Sequence, residues 1–404
     1  MTDAAITGLG LVTPAGIGVE ASWTTVREGR STASLDPRLG EIPPHFSCRV
    51  PDFDGDALLG ARRVLRLDPV VQFVLMAAGE ALADAGLDPS LWDGTRVGVV
   101  LGTAGGGAAT AEEQHLTLVR DGFKRVSPYL MPMQLPNMLA GQVAMEFGAT
   151  GPNLVVSTAC ASGTTAIGVA RDLLALDRCD IVLAGAGEAM TTPLMVAGFA
   201  RMGALSERTD DPSAASRPFD VDRDGFVVGE GAGVLVLERP EHARARGARV
   251  RGRVVGYGAS ADAHHATSPH PEGRGAEAAV RAALADAGAG GGDIDHVNAH
   301  GTSTRLNDRV EAAVLARVLA DDASITSTKG VTGHLLGAAG AIEAVFTALT
   351  IERGIIPPTA NLTTQDPQVG LQVVGEPTRA KVVLALSNSF GFGGQNAVVA
   401  LAAP

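Results

Sequence analysis

Short apolar runs alternate with amphipathic helical stretches along this chain, a pattern that predicts a layered α/β fold. The first residues, Met1-Thr2-Asp3-Ala4-Ala5-Ile6-Thr7-Gly8-Leu9-Gly10, predict a strand running into a glycine turn. Asp68-Pro69 opens a helix, a capping residue followed by proline at the first helical position, and Gly86 closes it. A strand over 97–101 and a small-residue loop over 102–107 follow. Further on, the apolar run that includes Val155-Val156 predicts a buried strand, and the run of small residues after it a helix. Cys160 stands at the turn between them.

The pattern repeats. Ala81-Leu82-Ala83-Asp84-Ala85-Gly86 recurs as Ala283-Leu284-Ala285-Asp286-Ala287-Gly288, and the second copy also leads to a strand, over 294–297, and a small-residue loop, over 298–302. Ser157-Thr158-Ala159-Cys160 precedes one small-residue helix; Ser327-Thr328-Lys329-Gly330 precedes another, predicted over 335–349. Gly229-Glu230-Gly231-Ala232-Gly233 leads into the strand 234–237 as Gly391-Phe392-Gly393-Gly394 leads into 397–399. Three echoes in one order predict two related α/β halves, residues 1–240 and 241–404, joined through the Arg- and Ala-rich segment 238–251.

Composition narrows the classes. With 404 residues, 46% of them hydrophobic and 19% charged, the chain has the balance of a globular enzyme. A formal charge of -12 disfavours nucleic acid as the main partner. Three cysteines without paired spacing argue against a disulfide framework and suit a reducing cytoplasm. The N-terminus lacks a secretory pattern, and no apolar run reaches a membrane span of roughly 18 residues. Arg62, Arg63 and Arg66 form a local basic patch that reads either as a solvated helix face or as a docking point for an acidic partner.

Candidate chemistry concentrates at predicted strand ends. A cysteine at a helix N-terminus meets partial positive charge and free N–H groups, which favour the thiolate. A lone thiol serves equally as a packing residue; Cys48 and Cys179 are read that way. His300 and His334 fall in glycine-flanked loops of the second half, placed as hydrogen-bond donors or acid–base groups. His264, His265 and His270 share a polar loop with only Asp262 beside them, an unconvincing ligand set, so no metal is expected. In Asn388-Ser389-Phe390-Gly391-Phe392-Gly393-Gly394, glycines permit close backbone approach and the phenylalanines could gate a cavity. A backbone N–H there could pair with that of Cys160 as an oxyanion hole.

Four blocks carry a resemblance over nearly the whole chain: Thr158-Ala159-Cys160-Ala161-Ser162-Gly163, Asn298-Ala299-His300-Gly301-Thr302-Ser303-Thr304, residues 329–340, and residues 388–394. They resemble the β-ketoacyl-acyl-carrier-protein synthases, above all synthase II and the ketosynthases of type II polyketide systems. The resemblance implies a thiolase fold, a duplicated five-layer αβαβα arrangement. It implies that Cys160 accepts an acyl chain as a thioester and that His300 and His334 stabilise the enolate formed when malonyl-acyl carrier protein loses carbon dioxide. Lys329 matches a family lysine paired with the glutamate at Glu343. The N–H groups of Cys160 and Phe390 are implied as the oxyanion hole, Phe390 with Phe392 as the gate, and Thr302 and Thr304 as contacts of the pantetheine arm.

Departures from the family pattern refine this expectation. Gly105 stands where synthase II enzymes often carry isoleucine, implying a wider acyl pocket. Arg305 replaces a proline, Gln395 a threonine or histidine, and Gly203 an arginine of the carrier contact, for which Arg201 could substitute beside Arg62 and Arg66. The expected activity is decarboxylative Claisen condensation in a type II polyketide or polyene-like pathway. Housekeeping fatty-acid elongation is the alternative, and a non-catalytic chain-length-factor-like subunit is disfavoured by the intact Cys160, His300, His334 and Lys329. No bound cofactor is implied, since substrates ride on the phosphopantetheine arm of acyl carrier protein. The expected assembly is a homodimer, or a heterodimer with a chain-length-factor-like subunit, in the cytoplasm.

Overall fold

The computed structural model describes residues 3–404; Met1 and Thr2, where the sequence reading begins its first strand, lie outside it. Ten strands form the path of one large sheet: β1 (Ala4–Thr13), β2 (Val97–Gly102), β3 (Asn153–Val156), β4 (Ile181–Glu188), β5 (Gly231–Glu238), β6 (Gly252–Ala261), β7 (His296–Asn298), β8 (Ser324–Thr326), β9 (Leu384–Gly391) and β10 (Gln395–Ala402). Their spatial order is β8-β7-β9-β10-β6-β1-β5-β4-β2-β3. The first five strands therefore run 3-2-4-5-1 from the edge inward, and the last five do the same. The pairings correspond too. β2 lies parallel to β3 and β4, and β7 parallel to β8 and β9, while the remaining neighbours are antiparallel.

The two five-strand sets meet along a short antiparallel seam, residues 4–6 of β1 against 252–254 of β6. Around it the sheet wraps a buried pair of helices. The principal helices are α1 (Pro69–Ala85), α2 (Ala108–Asp121), α3 (Met138–Phe147), α4 (Ser162–Ala175), α5 (Pro193–Arg201), α6 (Arg274–Ala287), α7 (Arg305–Val318) and α8 (Ala339–Arg353). α4 and α8 touch each other and strands of both sets. α1 and α3 cover the outer face of the first set, α6 and α7 that of the second. Three apolar clusters fill the interfaces between these layers. The result is helix, sheet, helix, sheet, helix, the five-layer arrangement expected.

Local sequence explains the main boundaries. The Asp68 carboxylate accepts the Val70 N–H at the start of α1, and Gly86 and Gly288 end α1 and α6 in left-handed conformation, φ 63° and 65°. Two expectations are corrected. The predicted glycine turn at Gly8 and Gly10 is strand interior: a Cβ at either would stand about 2 Å from a carbonyl oxygen of α1, so these glycines let helix and strand backbones touch. The helix predicted from Leu335 begins at Ala339, because Leu336 takes φ 49° and a short 3₁₀ turn intervenes.

The central pair is equally close. A Cβ on Gly163 would lie 2.5 Å from the Ala341 nitrogen, and one on Gly340 would lie 2.1 Å from Thr164 Oγ1. This crossing sets the start of α4, and hence Cys160, against the segment that carries His334. Gly340→Ala is therefore expected to cost about 1–3 kcal/mol by overpacking, seen as a lowered denaturant midpoint at unchanged slope. Gly79→Ala in α1, where the added methyl meets only the Phe147 ring at 4.0 Å, is expected to be neutral or stabilising; equal losses in both would refute the packing argument.

Candidate active site

The functional residues lie at the carboxyl ends of strands, where α/β sheets place their ligands. Cys160 follows β3 and precedes α4, with Ala159 at φ 49°. His300 follows β7, Lys329 and His334 follow β8, and Phe392 follows β9. Cys160, His300, His334, Thr302, Thr304, Phe390 and Phe392 all line one cavity of about 360 Å³. Cys160, His300 and His334 are all buried.

The imidazoles stand edge to face, centroids 5.3 Å apart, with Phe226 packed on His334 and Phe390 on His300. The backbone of His334 is pinned: its N–H donates to Val227 O at 2.7 Å, and its carbonyl accepts from Gly229 N–H at 2.9 Å. The Leu336 N–H donates to His334 Nδ1 at 3.3 Å. That bond makes Nδ1 an acceptor and leaves the proton of a neutral ring on Nε2. Burial, reinforced by the Lys329 charge, holds both imidazoles well below their ordinary range, so both are neutral near pH 7.

Lys329 Nζ meets Glu343 Oε1 at 2.5 Å in a buried pair. Burial raises the Glu343 carboxyl to about 7 against the pull of Lys329. The Lys329 charge also favours the Cys160 thiolate, as do N–H groups of Phe392 and of Cys160 itself. Burial nevertheless outweighs them and raises the Cys160 thiol to about 11. The expected thiolate is thus a neutral thiol at rest, with the charge-stabilising groups already in place.

The amide directed at the sulfur belongs to Phe392, where the resemblance had implied Phe390. Phe390 is still inside the ladder, in register with Asn396, and the chain leaves the hairpin only after Gly391. A Cβ on Gly391 would sit 2.6 Å from Thr158 O and 3.1 Å from Cys160 N, so glycine permits the approach that brings Phe392 to the nucleophile. This turn is tied to the cavity mouth. Asp262 N–H donates to Gly394 O, Gly393 N–H to Ala266 O, and Asn396 Nδ2 to the Asp262 carboxylate, at 2.7–2.8 Å.

Thr302 and Thr304 share a 2.9 Å hydroxyl contact in the cavity wall. Arg62, Arg66 and Arg201 are exposed and outside that wall. Arg66 stacks on Tyr129 at 4.8 Å, and Arg201 ends α5 just before Met202 and Gly203 of the rim. Gly105 borders a second cavity of about 590 Å³, but the side its missing Cβ would face is filled. A Cβ there would stand 2.5 Å from Met190 Sδ, which corrects the expected widening at that point. In the polar loop, His264 and His270 rings lie 5.0 Å apart, while His265 Nδ1 accepts from Thr267 and Ser268 N–H groups. Among the described residues no group of three potential metal ligands occurs, and no helix is long and apolar enough to cross a membrane. Cys48 and Cys179 are buried, and burial pushes the Cys48 thiol up to about 12.

Two carboxylates escaped the sequence reading. Glu188 accepts N–H bonds from Ala104, Gly105 and Gly337 and lies fully buried, its carboxyl raised by burial to about 7. Glu311 accepts the N–H groups of His300 and Gly301 at 2.8 and 2.7 Å and Asn388 Nδ2 at 3.1 Å. A lone acid closing the otherwise apolar β4 was the available signal for Glu188.

Similarity to known proteins follows the same lines. The family model of the beta-ketoacyl synthase N-terminal domain matches residues 1–243, and that of the beta-ketoacyl synthase C-terminal domain residues 251–363. A 3-oxoacyl-[acyl-carrier-protein] synthase 2 of Rhizobium meliloti (strain 1021) is 43% identical over 99% of both chains. The ishigamide ketosynthase/chain length factor superposes with a TM-score of 0.94 at 34% identity, covering 100% of this chain and 99% of that one. A type II PKS acyl-carrier protein in complex with its ketosynthase bound to the hexaketide gives 0.92 at 34% identity, with the same coverage.

Removing Lys329 strands Glu343 in a dry environment. Lys329→Ala is expected to destabilise by about 3–5 kcal/mol near neutral pH, measured by chemical denaturation. Without Lys329 the Glu343 carboxyl rises above about 7, so the loss should be largest at alkaline pH and shrink as the pH falls towards 7. The unfolded chain protonates histidine near pH 6.5 while buried His334 stays neutral, so its contribution to stability is lost as pH falls below that value. Compared at matched pH, His334→Asn should gain on the parent by about 1.4 kcal/mol per pH unit below 6.5; parallel curves would show that His334 titrates normally.

Proposed function

The chain belongs to the β-ketoacyl synthase family and catalyses its condensation, and from that premise we propose that it extends acyl chains on acyl carrier protein in a type II polyketide or polyene-like pathway. The observation that carries the chemistry is the enclosure of one thiol with two neutral imidazoles and two converging backbone N–H groups. In the first stage, Cys160 sulfur attacks the thioester carbonyl of an acyl-carrier protein. A carbon–sulfur bond forms, the pantetheine thiol leaves, and the proton lost by Cys160 passes to that leaving group. The N–H groups of Cys160 and Phe392 hold the oxyanion of the tetrahedral intermediate.

In the second stage, malonyl-carrier protein occupies the same cavity, its arm passing Thr302 and Thr304. Its carboxylate leaves as carbon dioxide, and the bonding electrons form an enolate whose oxygen accepts from His334 Nε2–H and from His300. Neutral donors suit this task, because they bind the developing charge without quenching the carbanion by proton transfer. The enolate carbon attacks the Cys160 thioester, a carbon–carbon bond forms, and Cys160 leaves as thiolate and takes up one proton. Lys329, anchored by Glu343, supplies the positive field that favours both the thiolate and the enolate.

Arg62 and Arg66, with Lys124 and Arg125 on the segment that carries Tyr129, suit docking of an acidic carrier. The structural similarity to polyketide ketosynthases supports the polyketide reading. Fatty-acid elongation is favoured by the 42% identity to a 3-oxoacyl-[acyl-carrier-protein] synthase 2 of Vibrio harveyi. Carbon dioxide release and product length, compared with malonyl-carrier proteins from both kinds of pathway, separate the two. Faster turnover with the polyketide carrier is expected, while turnover confined to the fatty-acid carrier would decide for elongation. Cys160→Ala is expected to keep its fold and lose acyl transfer by on the order of 10⁴-fold or more. Intact-protein mass measurement reads this directly, and persistent acylation in the variant would exclude Cys160 as the nucleophile.

A further inference from the structure

Thr302 and Thr304 lie on a strained loop. Gly301 takes φ 35° and Ser303 φ 68°, and a serine keeps left-handed backbone only where its surroundings impose it. Two supports come from behind the loop. Ser327 Oγ donates to Gly301 O at 2.7 Å, and the Arg217 N–H donates to Ser303 Oγ at 2.9 Å. The third support is Arg223, which is buried and stands outside the cavity wall. Its Nε donates to Thr304 O and its Nη2 to Arg305 O, both at 3.2 Å. Arg305 answers, its Nε donating to Arg223 O at 3.3 Å. We propose that Arg223 is a positioning residue for the thioester arm: with Arg305 it forms a reciprocal lock that fixes the Thr304 hydroxyl in the cavity wall.

The lock uses a geometry that a planar guanidinium offers and an ammonium does not. Nε and Nη2 lie on one edge of the fork and reach two successive carbonyls. Nη1 donates to Asp220 O and to the Asp366 carboxylate, each at 2.8 Å. Asp308, in the first turn of α7, lies 3.4 Å from Nε and accepts the Phe219 N–H at 2.9 Å. The buried charge is thereby paired, and the start of α7 is tied to the segment 217–223. Arg305 takes the first position of α7, where it replaces the proline of the family pattern. Proline there fixes φ through its ring and gives up an N–H that no helix bond needs. Thr304, at φ -97° and ψ 145°, already has the extended backbone that a following proline requires. Arg305 therefore substitutes a hydrogen-bonded restraint for a covalent one. The restraint meets the substrate at the Thr304 hydroxyl, held 2.9 Å from that of Thr302.

The lock rests on the reading that takes the arm along Thr302 and Thr304 to Cys160, and the test separates the two. Acylation of the purified protein is followed by intact mass with two thioesters of one acid: the pantetheine thioester and the S-ethyl thioester, which carries no amide. Neither bears a phosphate, so attraction of an anion to either arginine plays no part. The ratio of their second-order rate constants measures what the arm contributes and cancels any loss of folded protein. Arg223→Lys, which keeps the charge without the fork, should lower that ratio about tenfold, and Arg305→Ala about threefold. Arg305→Pro should restore the parent ratio. In a Thr304→Val background, Arg305→Ala should lower it no further. Arg309→Ala, at an exposed position one turn along α7, should leave it unchanged. A parent-like ratio in Arg223→Lys and Arg305→Ala overturns the lock while leaving the path of the arm standing. So does a loss from Arg305→Ala that is the same with and without the Thr304 hydroxyl, or one that Arg309→Ala reproduces. Equal rates with both thioesters in the parent protein overturn the path of the arm and the lock together.

Discussion

Withdrawal from water sets the protonation states on which this site depends. Burial is the largest influence on Cys160, His300, His334 and Glu343 alike. It keeps the imidazoles neutral, so that they donate hydrogen bonds without donating protons. It holds the sulfur as a thiol until a carbonyl is present. The single buried lysine gains influence for the same reason, since its charge acts through a medium of low polarisability. Lys329 lowers the cost of a sulfur anion and raises the cost of an imidazolium, the combination a decarboxylating condensation requires.

That dry volume exists because two similar five-strand units share one helix pair. Each unit alone would leave the inner face of its sheet in water. With α4 and α8 between them, both inner faces are covered, and the start of α4 comes against the segment before α8. The sulfur comes from one unit, and the imidazoles and lysine from the other. Close backbone contact at Gly163 and Gly340 sets their separation, so the reacting geometry is a property of the core packing.

The duplication was legible because it is written in local signals: capping pairs, glycine stops and small-residue loops recurring in order. Cys160, His300 and His334 could be picked out because each sits in a short loop beside a strand. What escaped depends on register and on distant contacts. Whether Phe390 or Phe392 presents its amide to the sulfur is decided by where the β9–β10 ladder ends, one step beyond the reach of composition. Gly105 reads as empty space along the chain, yet Met190, far away in sequence, fills it. Glu188 and Glu311 act on backbone amides of other loops, and such pairings have no sequence periodicity.

The hairpin that presents the Phe392 amide is fastened to the segment 262–266, which borders the cavity mouth, through Asp262, Ala266 and Asn396. One end of this assembly polarises the reacting carbonyl while the other shapes the doorway. The aperture and the electrostatic trap are therefore a single mechanical coordinate: displacing one strains the other, and a guest seated at the threshold exerts leverage on the bond being made.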